Sequence, residues 1–334
     1  MAIYSYQIYG LQMQSSRALK GLLPSTLATV PDLIVNWMGT GWTEVDGERP
    51  WEPVVTPELQ RRRRINLWQA NEADGSYLRL QFIEASGNIE FIIDPSARVM
   101  TIYWPSTLCF ADIQSYFIGA VLGCLLRRRG RVALHASAVV RDGRVIALLG
   151  QKRSGKSTTA AALVQAGWQL LADDLAVLAF DDACIKVQPG YPRLRLWPEA
   201  ASTIYSSVQH LPQVFSDRAK RYIDLPSYDT SCGTFCADAL PLATVYLLAE
   251  RSTTPGIVEM SPQQRVMALL FNTVGNYIVT DSAMRQDEFA LTHQIAQQIP
   301  IRQLHPPDSI DRLPQLCDII MQDQDQQEQR CLVP

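Results

Sequence analysis

The stretch Gly150-Gln151-Lys152-Arg153-Ser154-Gly155-Lys156-Ser157, followed by Thr158, decides how the rest of the chain is read. Its spacing is G-x4-G-K-[ST]. Glycine reaches positive φ at little cost and lets the backbone come close to a ligand. Successive N–H groups then gather at the start of a helix, where free donors and the helix dipole favour an anion. Lys156 is placed to reach the β- and γ-phosphates of a nucleotide, and the Ser157 hydroxyl to ligate Mg2+. Before the loop, Arg144-Val-Ile-Ala-Leu-Leu149 is the continuous apolar strand of a sheet covered on both faces. After it, 156–166 suits a helix, with Gly167 just past its end.

Further out, Trp168–Ala172 reads as the next strand, closing on Asp173-Asp174, 16 to 17 residues after Ser157. This β–loop–α–β order predicts a parallel α/β layer. Its carboxylates fall at the C-terminal edge of the sheet, beside the loop, where open α/β folds bind ligands. One can hold Mg2+, directly or through water. The other points differently, because strand side chains alternate, and is free to accept a proton from an attacking hydroxyl. Upstream, 132–140 reads as a strand carrying His135, and Arg141-Asp142-Gly143 as a turn. The hairpin 132–149 brings His135 beside the strand that feeds the loop, where it can orient an aspartate or share its proton. The chain carries no N-K-x-D, L-S-G-G-Q, H-R-D or D-F-G signature. That argues against a GTPase, an ABC ATPase and a eukaryotic-type protein kinase, and leaves ATP as the expected nucleotide.

Around this centre the fold class expected is α/β, a P-loop kinase-like sheet with helices, joined to a β-rich N-terminal domain. Residues 1–110 form that first domain: a strand at Tyr4–Met13, a hairpin of Tyr77–Ile83 and Ile89–Ile93, and a strand at Val99–Tyr103. Residues 111–320 form the second. It opens with a helix at Ile113–Leu126 and has further strands at Ala176–Phe180, Thr244–Leu248 and Ile299–Leu304. Helices are expected at Gln263–Thr273 and Phe289–Gln298. Residues 321–334 are a polar tail, expected to fray.

Composition narrows the partners. The 334 residues are 47% apolar and 19% charged, enough apolar mass for a real core. The 30 basic and 33 acidic residues give a net charge of −3, so no global basic field exists to hold nucleic acid. The apolar run 116–126 would span about half a bilayer core and reads as a buried helix, so no membrane partner is expected. Seven scattered cysteines, among them the C-x3-C pair Cys232 and Cys236, fit free thiols of a reducing compartment. Met1-Ala-Ile-Tyr-Ser-Tyr6 has neither a charged region nor a long apolar one, and the cytoplasm is the expected location.

Two basic clusters are candidates for clamping a phosphate or an acidic substrate. One is Arg193 with Arg195, on one side of an extended segment; the other is Arg218, Lys220 and Arg221. The run Arg61–Arg64 reads as a solvated loop or strand edge, and His210, His293 and His305 have no partners at metal spacing. Ser137 lacks a G-x-S-x-G elbow and is not a hydrolase nucleophile, and Trp197-Pro198 reads as packing.

The order Leu134-His-Ala-Ser-Ala138, then the loop, then Leu171-Ala-Asp-Asp174 resembles the catalytic core of the HPr kinase/phosphorylase family. These are bacterial serine kinases with a fold related to phosphoenolpyruvate carboxykinase. The segment Gln188-Pro-Gly-Tyr-Pro-Arg-Leu-Arg-Leu-Trp-Pro198 resembles the family's divergent branch, which includes kinases encoded near peptide-modifying enzymes. The resemblance covers about residues 112–305. It implies that Lys156 contacts phosphates, that Ser157 and Asp174 serve Mg2+, and that Asp173, supported by His135, is the general base toward a serine hydroxyl. It also implies a homo-oligomer. The family's E-I-R-G-type segment is absent, with Gly190-Tyr-Pro-Arg193 in its region. Phosphorylase activity and HPr itself as acceptor are therefore not carried over. The function expected is transfer of the γ-phosphate of ATP, with Mg2+, to a Ser or Thr hydroxyl of a peptide or small protein. A kinase of a free metabolite such as serine and a nucleotide-gated binding protein without catalysis stay open beside it.

Overall fold

The computed structural model describes residues 2–26, 30–40, 47–62, 64–181, 184–205, 210–225, 234–275, 278 and 282–332. Cys232 and Arg63 lie outside them, as does the side chain of Cys331. The fold is mixed α/β and divides into two compact units. The first comprises 1–133, 214–218 and 274–288, and the second 134–213, 219–273 and 289–334.

The first unit is built on an eight-stranded sheet. Its strands are β1 (Tyr4–Ile8), β2 (Leu11–Ser15), β3 (Leu33–Gly39), β4 (Glu52–Pro53), β5 (Ile65–Glu72), β6 (Gly75–Glu84), β7 (Gly87–Ile93) and β8 (Val99–Tyr103). They lie in the order β1-β2-β3-β8-β7-β6-β5-β4. The single strand expected at Tyr4–Met13 is instead a hairpin. Tyr9 and Gly10 both take positive φ, 53° and 72°, and turn the chain back. The expected helix runs longer, from Phe110 to Arg128, with a π-helical stretch at Phe117–Val121 between two α-helical ones. It is long and apolar enough to cross a membrane, yet 72% of its most apolar window is buried inside the fold. Trp37 of β3 anchors it edge-on, with ring centroids 4.9 Å from Phe110 and 5.3 Å from Phe117. This helix belongs to the first unit, so the boundary falls near 133 rather than near 110.

After a two-residue strand, β9 (Ala133–Leu134), the second unit holds the loop. Its strands are β10 (Ser137–Arg141), β11 (Arg144–Leu149), β12 (Gln169–Ala172), β13 (Ala176–Phe180), β14 (Ile185–Gln188), β15 (Arg193–Leu196), β16 (Arg221–Asp224), β17 (Thr234–Phe235), β18 (Leu240–Leu248), β19 (Gly256–Glu259) and β20 (Ile301–His305). The main sheet contains the run β17-β12-β10-β11-β18-β14-β13, with β20 on β18 and β19 on β20. β15 and β16 form a separate ribbon.

The expected parallel layer is mixed, with the first strand of the expected hairpin inside it. β11 pairs parallel with β18, and β18 with β20, but β10 lies between β11 and β12 and is antiparallel to both. The crossover from β11 through the helix Lys156–Gln165 to β12 thus joins two strands of the same direction with β10 inserted between them. This places three chain positions at one sheet edge: the exit of β11 at Gly150, the exit of β12 at Asp173, and the entry to β10 at Ser137. Residues Val145–Leu149 are all buried, as a strand covered on both faces requires.

The single strand expected over 132–140 is broken at His135-Ala136, where the His135 N–H leaves the ladder and donates to the Asn272 carbonyl at 2.7 Å. The polar tail is also corrected. Residues Leu313–Leu332 form one helix, which buries Leu316, Cys317 and Ile320. Its polar face is occupied too. Asp323 accepts from the buried Tyr246 hydroxyl at 2.6 Å and pairs with Arg302, and Gln324 donates to both Tyr246 and Thr244.

Candidate active site

The loop between β11 and the helix Lys156–Gln165 is shaped by its two glycines. Gly150 sits at φ 145°, and a Cβ there would lie 2.7 Å from Ser154 Oγ and 3.1 Å from the Leu248 carbonyl oxygen. Gly155, at φ 101°, is the helix N-cap. Gln151, Lys152 and Arg153 are exposed, and the Arg153 guanidinium lies over the Trp197 ring, 5.4 Å from its centroid. Trp197, expected as packing, is thus a neighbour of the loop. Ser157 and Thr158 occupy the first helical turn, where backbone N–H groups lack intrahelical partners. Lys156 is buried and folds back on the loop, donating to the carbonyls of Gly150 at 2.7 Å and Gln151 at 3.1 Å. Burial lowers its pKa, by more than Asp174 and Asp173 restore.

The two aspartates have different surroundings. Asp173 is 1% exposed and fully engaged. Its Oδ1 accepts from Ser137 Oγ at 2.6 Å and Ser157 Oγ at 2.8 Å, and its Oδ2 from the Arg195 backbone N–H at 2.8 Å. Asp174 takes a left-handed backbone, φ 74°, which turns its side chain out of the strand's alternation. Its Oδ2 accepts from Arg195 at 2.7 Å, and its Oδ1 lies 3.7 Å from His135 Nδ1. Burial would raise the Asp174 carboxyl, but Arg195, with His135, Lys220 and Lys156 behind it, holds it down at about 2.

His135 Nδ1 also lies 3.0 Å from the Asp174 carbonyl oxygen. A carbonyl only accepts, so Nδ1 carries the proton and Nε2 keeps its lone pair. The imidazole is 39% exposed. Burial of the ring lowers its pKa by more than Asp174 restores, so it is neutral at neutral pH.

The pairing is therefore the reverse of the one the resemblance implied. Ser157 is joined to Asp173, and His135 stands beside Asp174. The Ser157–Asp173 pair fits a Mg2+ ion. The hydroxyl donates to the carboxylate, which leaves its lone pairs for an ion. An ion that keeps most of its waters needs only one or two protein oxygens. Among the described residues no group of three or more His, Cys, Asp or Glu is arranged as a metal cage.

The basic candidates separate. Arg195 is buried in the site, on Asp174 and the Tyr191 hydroxyl. Arg193 shares its face of β15 but is ion-paired with Asp224. Arg218 belongs to the other unit, stacked on Phe215 and 3.5 Å from Asp217. Arg221 stands opposite Leu196, on the face of the ribbon that carries buried Leu194 and Ile223. Lys220 is felt electrostatically by both Asp174 and Lys156.

Two contributors escaped the sequence reading. Ser137 binds Asp173, and its signal was present, since a strand places residues 135 and 137 on one face. Asn272 accepts from the Gly150 N–H through Oδ1 at 3.3 Å and from the His135 N–H through its carbonyl. No local pattern marks it.

No family model matches the chain, and no curated protein matches it. Among solved structures, the Hpr(Ser) kinase/phosphatase from Coxiella burnetii aligns with 59% of this chain and 98% of its own, at 11% identity and a TM-score of 0.33. A likeness that slight carries no weight for the activity.

Proposed function

We propose that the chain is a kinase that transfers the γ-phosphate of ATP, with Mg2+, to a Ser or Thr hydroxyl of a peptide or small protein. The observation that carries this reading is the meeting of a G-x4-G-K-S loop, two aspartates and a histidine at one sheet edge, with Ser157 2.8 Å from Asp173 and His135 3.7 Å from Asp174. A binding module would need the loop but neither a proton acceptor nor the buried pair.

ATP supplies the phosphoryl group, and Mg2+ neutralises charge on its oxygens. The loop amides and Lys156 bind the phosphates, once Lys156 leaves the carbonyls of Gly150 and Gln151. Ser157, oriented by Asp173, holds the metal. The acceptor oxygen forms its bond to the γ-phosphorus as the bond to the β-bridging oxygen breaks, and ADP leaves. The hydroxyl proton goes to His135 Nε2. Asp174, ion-paired and held at about 2, is too weak a base for that task at neutral pH and instead orients the ring.

The test is incubation with γ-labelled ATP, Mg2+, serine-containing peptides and free serine. Label on a peptide supports the reading, and label on free serine alone moves the acceptor to a metabolite. Nucleotide binding with no transfer to any acceptor overturns catalysis. His135→Ala is expected to lower transfer about 100-fold or more, the scale of a lost general base, with nucleotide affinity retained.

A further inference from the structure

Phosphoryl transfer gathers negative charge on the oxygens of the moving group, and one lysine and one Mg2+ are seldom its whole complement of cations. The fold shows which of the remaining basic side chains is free to serve. Arg195 and Arg193 already have carboxylates, and Arg218 lies in the other unit. The choice between Lys220 and Arg221 follows from the β15–β16 register. Arg195 is opposite Tyr222, and the guanidinium groups of both Arg193 and Arg195 lie against the Tyr222 ring, at 4.8 and 5.7 Å. That face is the one that meets Asp174. Arg221, opposite Leu196, points to the other face. Lys220, two residues before Tyr222 and one before β16 begins, falls on the Arg195 face when the strand's alternation is carried one residue past Arg221. One step past the last pair of the ribbon, its register position is next to that of Trp197, the ring that carries Arg153 of the loop.

Resting on the proposed function, we infer that Lys220 is a phosphate-contacting residue that recognises the terminal phosphoryl group of the bound triphosphate. Its charge is felt at both Asp174 and Lys156, two groups of the candidate site. Lys220 is half-buried, and among the described residues no hydrogen bond or ion pair holds its ammonium. An ammonium with no such direct contact is available to a ligand. The contact is made to the γ-phosphate, beside Lys156, and not to the α- and β-phosphates that the loop amides hold, so it separates a triphosphate from a diphosphate.

Calorimetric titration of the full chain with Mg·ADP and with the non-hydrolysable β,γ-imido analogue of Mg·ATP tests this. Lys220→Ala is expected to weaken the triphosphate analogue about tenfold, the worth of one charged hydrogen bond, and to leave ADP within about twofold. Lys220→Arg, which keeps the charge, is expected to recover most of the loss. Unchanged ADP affinity also shows that the variant has folded. Equal weakening of both nucleotides, or of neither, overturns the assignment while the nucleotide site stands. Should the unaltered chain bind neither nucleotide, the proposed function falls first and the role of Lys220 with it.

Discussion

Asp173 and Asp174 are adjacent in sequence and chemically apart. Asp173 accepts three hydrogen bonds in a closed pocket, and Asp174 forms an ion pair at the edge of one. The Arg195 pair has a measurable consequence. The Asp174 carboxyl, at about 2 in the folded chain, lies below the ordinary aspartate value of 3.8, so the carboxylate contributes stability above about pH 4 and loses it as pH falls toward 2. The amount is about 2 kcal/mol. In urea titrations Arg195→Gln is therefore expected to be less stable than the unaltered chain at pH 6, with the gap shrinking between pH 4 and pH 2; a gap that stays constant over that range removes the ion pair as its cause. That two carboxylates stand beside the loop was legible, because the distance from Ser157 spans one helix and one return strand. Which of them faces Ser157 was not. The answer depends on the left-handed backbone at Asp174, and no residue type announces that for an aspartate.

At the scale of elements, the loop and its flanks were read nearly residue for residue. Strand Arg144–Leu149 and helix Lys156–Gln165 announce themselves by local pattern and terminal glycines. The insertion of β10 between β11 and β12 was not readable, since strand order is settled by contacts distant in sequence. Glycine substitutions separate backbone strain from site geometry. At Gly143, φ 71°, an added Cβ meets nothing within 4 Å, so Gly143→Ala costs only the left-handed conformation, about 1 kcal/mol of stability, with nucleotide affinity untouched. At Gly150 the same change adds a collision with Ser154 and Leu248, and a loss of ADP affinity of about tenfold or more is expected by calorimetry. Equal effects at both positions would remove the loop's special status.

For the molecule as a whole, the C-terminal helix is the largest departure from the sequence reading. Its glutamines and aspartates resemble a solvated tail, and only the buried Tyr246 and the partly covered Arg302 beneath them reveal why they are retained. Asp323→Ala leaves the Tyr246 hydroxyl without its acceptor and Arg302 with Glu259 alone, and a loss of roughly 1–3 kcal/mol is expected, read as a fall in urea midpoint with unchanged slope. A midpoint like that of the unaltered chain would return the helix to the status of a loose end. The two units are themselves laced through one another in sequence, since the chain leaves the first after 133, comes back for 214–218, and comes back again for 274–288. No single breakpoint separates them. A ribosome has to translate nearly nine-tenths of the message before the earlier unit possesses all its parts, and recombination cannot exchange either unit by one crossover. Whatever diversity arises among such chains has to come by substitution in place, not by shuffling modules.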